Sequence, residues 1–190
     1  MERLADTDVD MLEINVSCPN VKEGAIAFGQ KADCLSEITS AIKKVAKQPI
    51  IMKLSPNVTD ITEMAMAAEA AGADAISLIN TLTGMKIDIN RRTFVLANKT
   101  GGMSGPAIKP VAVRMVYECA RKVKIPIIGM GGITTAEDAL EFLMAGATAV
   151  AVGAANFINP YATRDILEGI QAYLTQNKIA GINEIIGCVK

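Results

Sequence analysis

The chain has 190 residues, 51% hydrophobic and only 4% aromatic, with 19 basic residues against 20 acidic ones and no histidine. That length suits one aliphatic core rich in Ala and Met, and charges that nearly cancel leave no electrostatic footprint for nucleic acid or an anionic membrane. Four dispersed cysteines, Cys18, Cys34, Cys119 and Cys188, form no Cys-x-x-Cys pair, so no zinc, iron–sulfur or disulfide framework is expected and the cytoplasm is the expected compartment.

Residues up to 8 read as the last turns of a helix. The apolar run Met11-Leu12-Glu13-Ile14 opens a buried strand over 11–16 that Pro19 prevents from continuing, leaving Asn15, Ser17, Cys18 and Asn20 at its exit. Without histidine, proton transfer near neutral pH needs a carboxylate, a lysine or a thiol, and Cys18 is the best-placed thiol; a small buried apolar filler is the alternative. After a loop carrying Gly24 and Gly29, a helix over about 33–47 repeats Leu35, Ile38, Ile42 and Val45 on one buried face, with Lys43, Lys44 and Lys47 on the solvated one. Pro49 introduces a strand over 50–54 whose only charge is Lys53. A lysine there is costly unless paired, which marks it as a cation for a reduced cofactor or a substrate carboxylate.

Pro56-Asn57 turns the chain into a helix over about 60–71, capped by Asp60 and stopped by Gly72. A strand over 75–79 ends in Asn80-Thr81, which offer donors and acceptors for a planar imide or amide, or simply form a turn. The stretch 82–106 is too long for an ordinary connection; 87–89 and 94–96 suit a small hairpin, and 101–105 reads as flexible glycine-rich backbone. A helix over about 108–123, a strand ending at Gly131-Gly132, a helix over about 136–145, a strand over 149–152 ending at Gly153-Ala154 and a helix over about 161–176 complete the chain. Two small-residue pairs closing consecutive strands fit a phosphate site built from backbone N–H groups, although either pair alone would serve a tight turn.

Residues 71–76 echo 145–150, and 48–51 echo 125–128, so the chain repeats a strand-helix unit. Apolar strands alternating with helices predict an α/β fold with a parallel sheet. Polar residues at strand ends, and glycine pairs late rather than after the first strand, favour a (β/α)8 TIM barrel over a doubly wound sheet. About five of the eight units are legible; a whole barrel takes roughly 250 residues, so about three units are expected ahead of Met1. Residues 1–190 are therefore expected to form one partial barrel domain, with an inserted loop and hairpin at about 82–106.

Several ordered motifs carry a specific resemblance: Asn15-Val16-Ser17-Cys18-Pro19-Asn20-Val21-Lys22, Lys53-Leu54-Ser55-Pro56-Asn57-Val58-Thr59-Asp60, Ile79-Asn80-Thr81, Ala97-Asn98-Lys99-Thr100-Gly101-Gly102, Ser104-Gly105-Pro106-Ala107-Ile108-Lys109-Pro110 and Gly129-Met130-Gly131-Gly132-Ile133. From about 9 to 160 the chain resembles the dihydroorotate dehydrogenase family, nearest its NAD-linked class 1B catalytic subunits. Cysteine at 18 is similar to the soluble class 1 enzymes, where class 2 has serine. The resemblance implies oxidation of dihydroorotate to orotate in de novo pyrimidine (UMP) synthesis, with FMN as cofactor and Cys18 as general base. It implies substrate contacts from Asn15, Asn20, Asn80 and Thr81. It implies FMN contacts from Asn15, Lys53, Ile79 and Gly105, and from Gly131, Gly132, Gly153 and Ala154 at the phosphate. Electrons would pass to NAD through a partner subunit carrying FAD and a 2Fe-2S cluster, with a homodimer of catalytic subunits inside a heterotetramer. Gly24-Ala25 departs from the two adjacent glycines frequent in the family. Dihydropyrimidine dehydrogenase shares the cysteine loop and the lysine strand but typically has histidine where Asn20 stands, and a non-catalytic remnant is the alternative of a different kind. A five-unit remnant would expose two sheet edges, and on its own it is expected to bind FMN poorly and to be inactive.

Overall fold

The computed structural model describes residues 4, 7–16 and 29–189. In chain order the elements are β1 (Leu12–Asn15), α1 (Ala32–Val45), β2 (Ile50–Lys53), α2 (Ile61–Ala70), β3 (Ala75–Leu78), β4 (Leu82–Met85), β5 (Ile87–Asp88), β6 (Thr93–Phe94), β7 (Thr100–Met103), α3 (Lys109–Ala120), β8 (Ile127–Met130), α4 (Ala136–Ala145), β9 (Ala149–Ala151), α5 (Ala155–Ile158) and α6 (Ala162–Gln176). Among the described residues the main sheet has five strands in the order β1-β2-β3-β8-β9, all parallel. Its order never reverses, so there is no crevice of the kind at which a doubly wound sheet binds its ligand. The helices pack each against the next, α1 on α2, α2 on α3, α3 on α4 and α4 on α6. This is an arc of a (β/α)8 barrel. Among the described residues no helix is long and apolar enough to cross a membrane. The helix end expected up to residue 8 falls mostly outside the described residues.

Strands buried on both faces hold the arc together. Ile50, Ile51 and Met52 of β2, and Ile76 and Leu78 of β3, are buried almost completely, so alternate residues face the helices and the barrel interior with equal loss of solvent. Helix α2 buries Ile61, Met64, Ala65 and Ala68 at helical spacing, and Asp60 caps it by accepting from the Thr62 N–H at 2.8 Å. Helix α1 departs from expectation. Leu35 is buried and Ile38 and Ile42 pack on the core, but Val45 in the last turn is 40% exposed while Thr39 is fully buried. The Thr39 hydroxyl donates to the Leu35 carbonyl at 2.7 Å, so its polar atom is satisfied inside the helix and its methyl serves the core.

The internal echo becomes a repeated turn. Gly72 and Gly146, both at positive φ (96° and 120°), follow α2 and α4. In each turn the next N–H reaches back five residues at 3.0 Å, Ala73 to Ala68 and Ala147 to Phe142. The Pro49 and Pro126 carbonyls likewise each accept from the neighbouring strand, from the N–H groups of Leu12 and Ile76.

Between β3 and α3 the chain leaves the barrel rhythm. β4 pairs antiparallel with β7, Leu82 opposite Met103, and β5 pairs with β6, Ile87 opposite Phe94. The expectation of flexible backbone at 101–105 is thereby corrected, since Thr100–Met103 is a paired strand. Its glycines provide room. A Cβ on Gly102 would lie 2.1 Å from Thr81 Oγ1, and one on Gly101 would lie 2.7 Å from Leu96 Cδ1.

Candidate active site

The C-terminal ends of the parallel strands carry the site. Asn15, Lys53 and Ser77 are aligned across β1, β2 and β3. The Lys53 ammonium donates to Glu13 Oε1 at 3.1 Å, and the fully buried Ser77 hydroxyl donates to Glu13 Oε2 at 2.9 Å. Three adjacent strands thus satisfy one ion pair, which is what makes a lysine tolerable in an otherwise apolar sheet. Sequence reasoning selected Lys53 and passed over Glu13, although a lone charge in an apolar strand is the same signal in both.

One step beyond, Asn80 Nδ2 donates to Asn15 Oδ1 at 3.1 Å, and Asn80 Oδ1 accepts from the Thr81 N–H at 2.8 Å. Asn57, read from the sequence only as a turn residue, fixes this segment: its Nδ2 donates to the Thr81 carbonyl at 3.1 Å and its Oδ1 accepts from the Thr83 N–H at 2.9 Å. The loop after β2 and the exit of β3 are therefore tied by one side-chain amide.

These groups open onto a cavity of about 380 Å³, within the size range of small-molecule and cofactor sites. Lys53 lines it from the end of β2, Ile79, Asn80 and Thr81 from the exit of β3, and Gly105 from the segment before α3. Gly131 and Gly132 after β8, with Gly153 and Ala154 after β9, line it as well. Glu13, Ser104 and Thr134 also line it and were not selected from the sequence. Asn15 joins through its bond to Asn80. Cys18 and Asn20 lie outside the described residues.

The glycines do two different things. Gly105 and Gly153 have nothing within 4 Å of an added Cβ, so the space beside them is open and a side chain there would fill it. Gly132, at φ 80°, is crowded: its Cβ would lie 2.8 Å from the Gly105 carbonyl oxygen and 2.9 Å from Lys109 Cβ. Two loops from different units touch backbone to backbone there.

An ionic network sits behind that contact. Asp138 Oδ1 accepts from the Lys109 ammonium at 2.7 Å. Its Oδ2 accepts from the Thr134 N–H (2.8 Å), the Thr134 hydroxyl (2.7 Å) and the Thr135 N–H (3.0 Å). Lys109 also reaches Glu141 Oε1 at 2.7 Å. Burial pushes the Asp138 carboxyl up, but hydrogen bonds from Lys109 and then from Thr134 and Thr135 outweigh it and hold the group down at about 2. The hydrogen bonds to Asp138 and Glu141 raise Lys109 above its ordinary value. Cys119, by contrast, is fully buried under α2 and its thiol is pushed up to about 12, first by burial and then by the charges of Glu118 and Asp60, so it is core and not nucleophile.

Three kinds of comparison with known proteins agree. A family model described as dihydroorotate dehydrogenase matches residues 1–174. The dihydroorotate dehydrogenase B (NAD(+)) catalytic subunit of Lachnoclostridium phytofermentans is 70% identical over all 190 residues, and that of Alkaliphilus oremlandii is 62% identical over 186. The chain covers 63% and 62% of those two proteins, so it spans about 60% of the length of the curated relatives it matches. A crystal structure of Eimeria tenella DHODH in complex with ferulenol superposes with a TM-score of 0.78 at 25% identity, covering 94% of this chain and 54% of that one.

Proposed function

The chain belongs to the dihydroorotate dehydrogenase family, and from that membership we propose that it forms the flavin and substrate end of an FMN-dependent oxidation of dihydroorotate to orotate, in cytoplasmic pyrimidine synthesis. The observation that carries the proposal is that residues from four strand ends, Lys53, Asn80, Gly131 and Gly153, line one cavity, with Asn15 of a fifth hydrogen-bonded to Asn80. The donor set suits FMN. Open space over Gly105 and Gly153 forms a cradle that any side chain would fill, and main-chain N–H groups at Gly131, Gly132, Gly153 and Ala154 suit the phosphate.

FMN, when bound, supplies the acceptor for the hydride that leaves C6 of dihydroorotate. Cys18, as thiolate, takes the proton from C5, and the electron pair of that C–H bond becomes the new C5–C6 double bond. Asn15, Asn20, Asn80 and Thr81 hold the pyrimidine ring through complementary donors and acceptors; the Asn15–Asn80 bond fixes two of these amides relative to each other. Lys53, oriented by Glu13, places a positive charge at the ring end of the cavity, and Ile79 supplies an apolar wall. Electrons leave through a partner subunit carrying FAD and a 2Fe-2S cluster, on to NAD, in a heterotetramer built around a homodimer of catalytic subunits.

The test is anaerobic bleaching of the flavin absorbance by dihydroorotate, with dihydrouracil as control, in the form of the protein that carries stoichiometric FMN. Dihydroorotate is expected to bleach it and dihydrouracil is not; the reverse assigns a dihydropyrimidine substrate. In Cys18→Ala the protein is expected to stay yellow while bleaching slows by about 10²-fold or more, the scale of a lost general base. An unchanged rate removes Cys18 from the mechanism.

A further inference from the structure

Lys109 does not line the cavity, yet it holds together the two loops that form the cavity's glycine end. It begins α3, directly after the segment carrying Gly105, and its ammonium bonds Asp138 and Glu141 of α4, the helix that follows Gly131-Gly132. Asp138 passes the restraint on: its second oxygen holds both backbone N–H groups, of Thr134 and Thr135, that lead out of the glycine turn. Between the two helices the backbones of Gly132 and Gly105 approach so closely that not even a Cβ fits. A single lysine thus bonds across two loops that already touch backbone to backbone and that nothing covalent joins locally.

We infer that Lys109 is a positioning residue for the phosphate end of the cofactor, acting through Asp138 to keep the N–H groups of the Gly131-Gly132 turn at the spacing a phosphate requires. The inference rests on the FMN reading above and adds to it a residue outside the cavity. Lys53 and Asn80 line the cavity from the ends of other strands and bond Glu13 and Asn15, respectively, while Ile79 adjoins the glycine turn through its N–H to the Met130 carbonyl at 3.0 Å. Loss of Lys109 should therefore weaken recognition of the phosphate and spare recognition of the ring.

Titration of FMN and of riboflavin, which lacks the phosphate, against the apoprotein of the form that carries stoichiometric FMN, and against its Lys109→Met and Lys109→Arg variants, separates the two ends; quenching of flavin fluorescence is the readout. The unsubstituted apoprotein is expected to prefer FMN. Lys109→Met should lose about tenfold in FMN affinity, the equivalent of one hydrogen bond to a charged group, with riboflavin affinity unchanged, and Lys109→Arg should recover most of the loss. Equal losses for both flavins, or no loss for FMN, overturn the inference and leave the cofactor reading standing. No binding of either flavin by the unsubstituted apoprotein, or no preference for FMN, overturns the cofactor or phosphate reading itself. Circular dichroism melts accompany each titration. If Lys109→Met does not fold, Glu141→Gln, which removes only the second carboxylate, takes its place with a smaller FMN-selective loss expected, and a loss shared by riboflavin overturns the inference.

Discussion

The turns after β8 and β9 look alike in sequence, each a small-residue pair closing an apolar strand, and they are built on opposite principles. At Gly131-Gly132 both residues have positive φ, 127° and 80°, and each is packed against neighbouring atoms: Gly131 faces Ala112, Ile108 and Ile79, and Gly132 faces Gly105 and Lys109. At Gly153 an added Cβ would meet nothing within 4 Å. The first turn is glycine because the fold demands it; the second leaves space that a ligand can use. A glycine pair is thus a statement about conformation in one place and about vacant volume in another, and only three-dimensional surroundings tell them apart.

Substitution separates the two turns most sharply at Gly132. Gly132→Ala combines a strained φ with a Cβ driven into backbone, and should cost about 3 kcal/mol of folding stability, read as a lower urea midpoint. A loss below 1 kcal/mol would mean that the loops part easily and that the contrast is false.

Acid is the second probe. The Asp138 carboxyl is held below its ordinary value, so its contribution to stability is complete above the ordinary carboxylate range, near pH 4, and is lost as pH falls toward about 2. Asp138→Asn should lower stability at neutral pH by about 1–2 kcal/mol and flatten the fall between those limits, in urea melts taken at a series of pH values. An unchanged slope would assign that fall to other carboxylates.

The smallest expected stability change belongs to the open turn. Gly153→Ala should shift stability by no more than about 0.5 kcal/mol while weakening flavin binding, because the methyl enters the cavity and touches no protein atom. A stability loss comparable to that of Gly132→Ala would erase the distinction.

Much of this was legible from the order of residues. The barrel rhythm follows from two-face apolar strands and helical spacing, which are local properties; so do the Asp60 cap and the stop at Gly72. Lys53 stood out because its neighbours Ile50, Ile51 and Met52 have no polar atoms to offer in their side chains. Its partner Glu13 was hidden, 40 residues away, because nothing local says which two strands become neighbours. Gly101-Gly102 misled for the same reason: flexibility and close approach require the same residue, and the Thr81 side chain that occupies the space lies elsewhere in the chain. The short helix α5 was missed, since four residues hold no period to detect. Asn57 reads as a turn former until its amide is seen bridging Thr81 and Thr83.

The insertion leaves and returns at one spot, with Leu82 and Met103 directly opposite each other on paired strands. A segment grafted onto a scaffold through such a narrow stalk can change in length or in surface without altering the span between the strand it follows and the helix it precedes. Beyond the stalk, Ile87, Ile89, Val95 and Leu96 are substantially exposed. The outer tip is thus free of steric ties to the barrel at those side chains, whereas the stalk's base has no room for a Cβ at Gly102 beside Thr81.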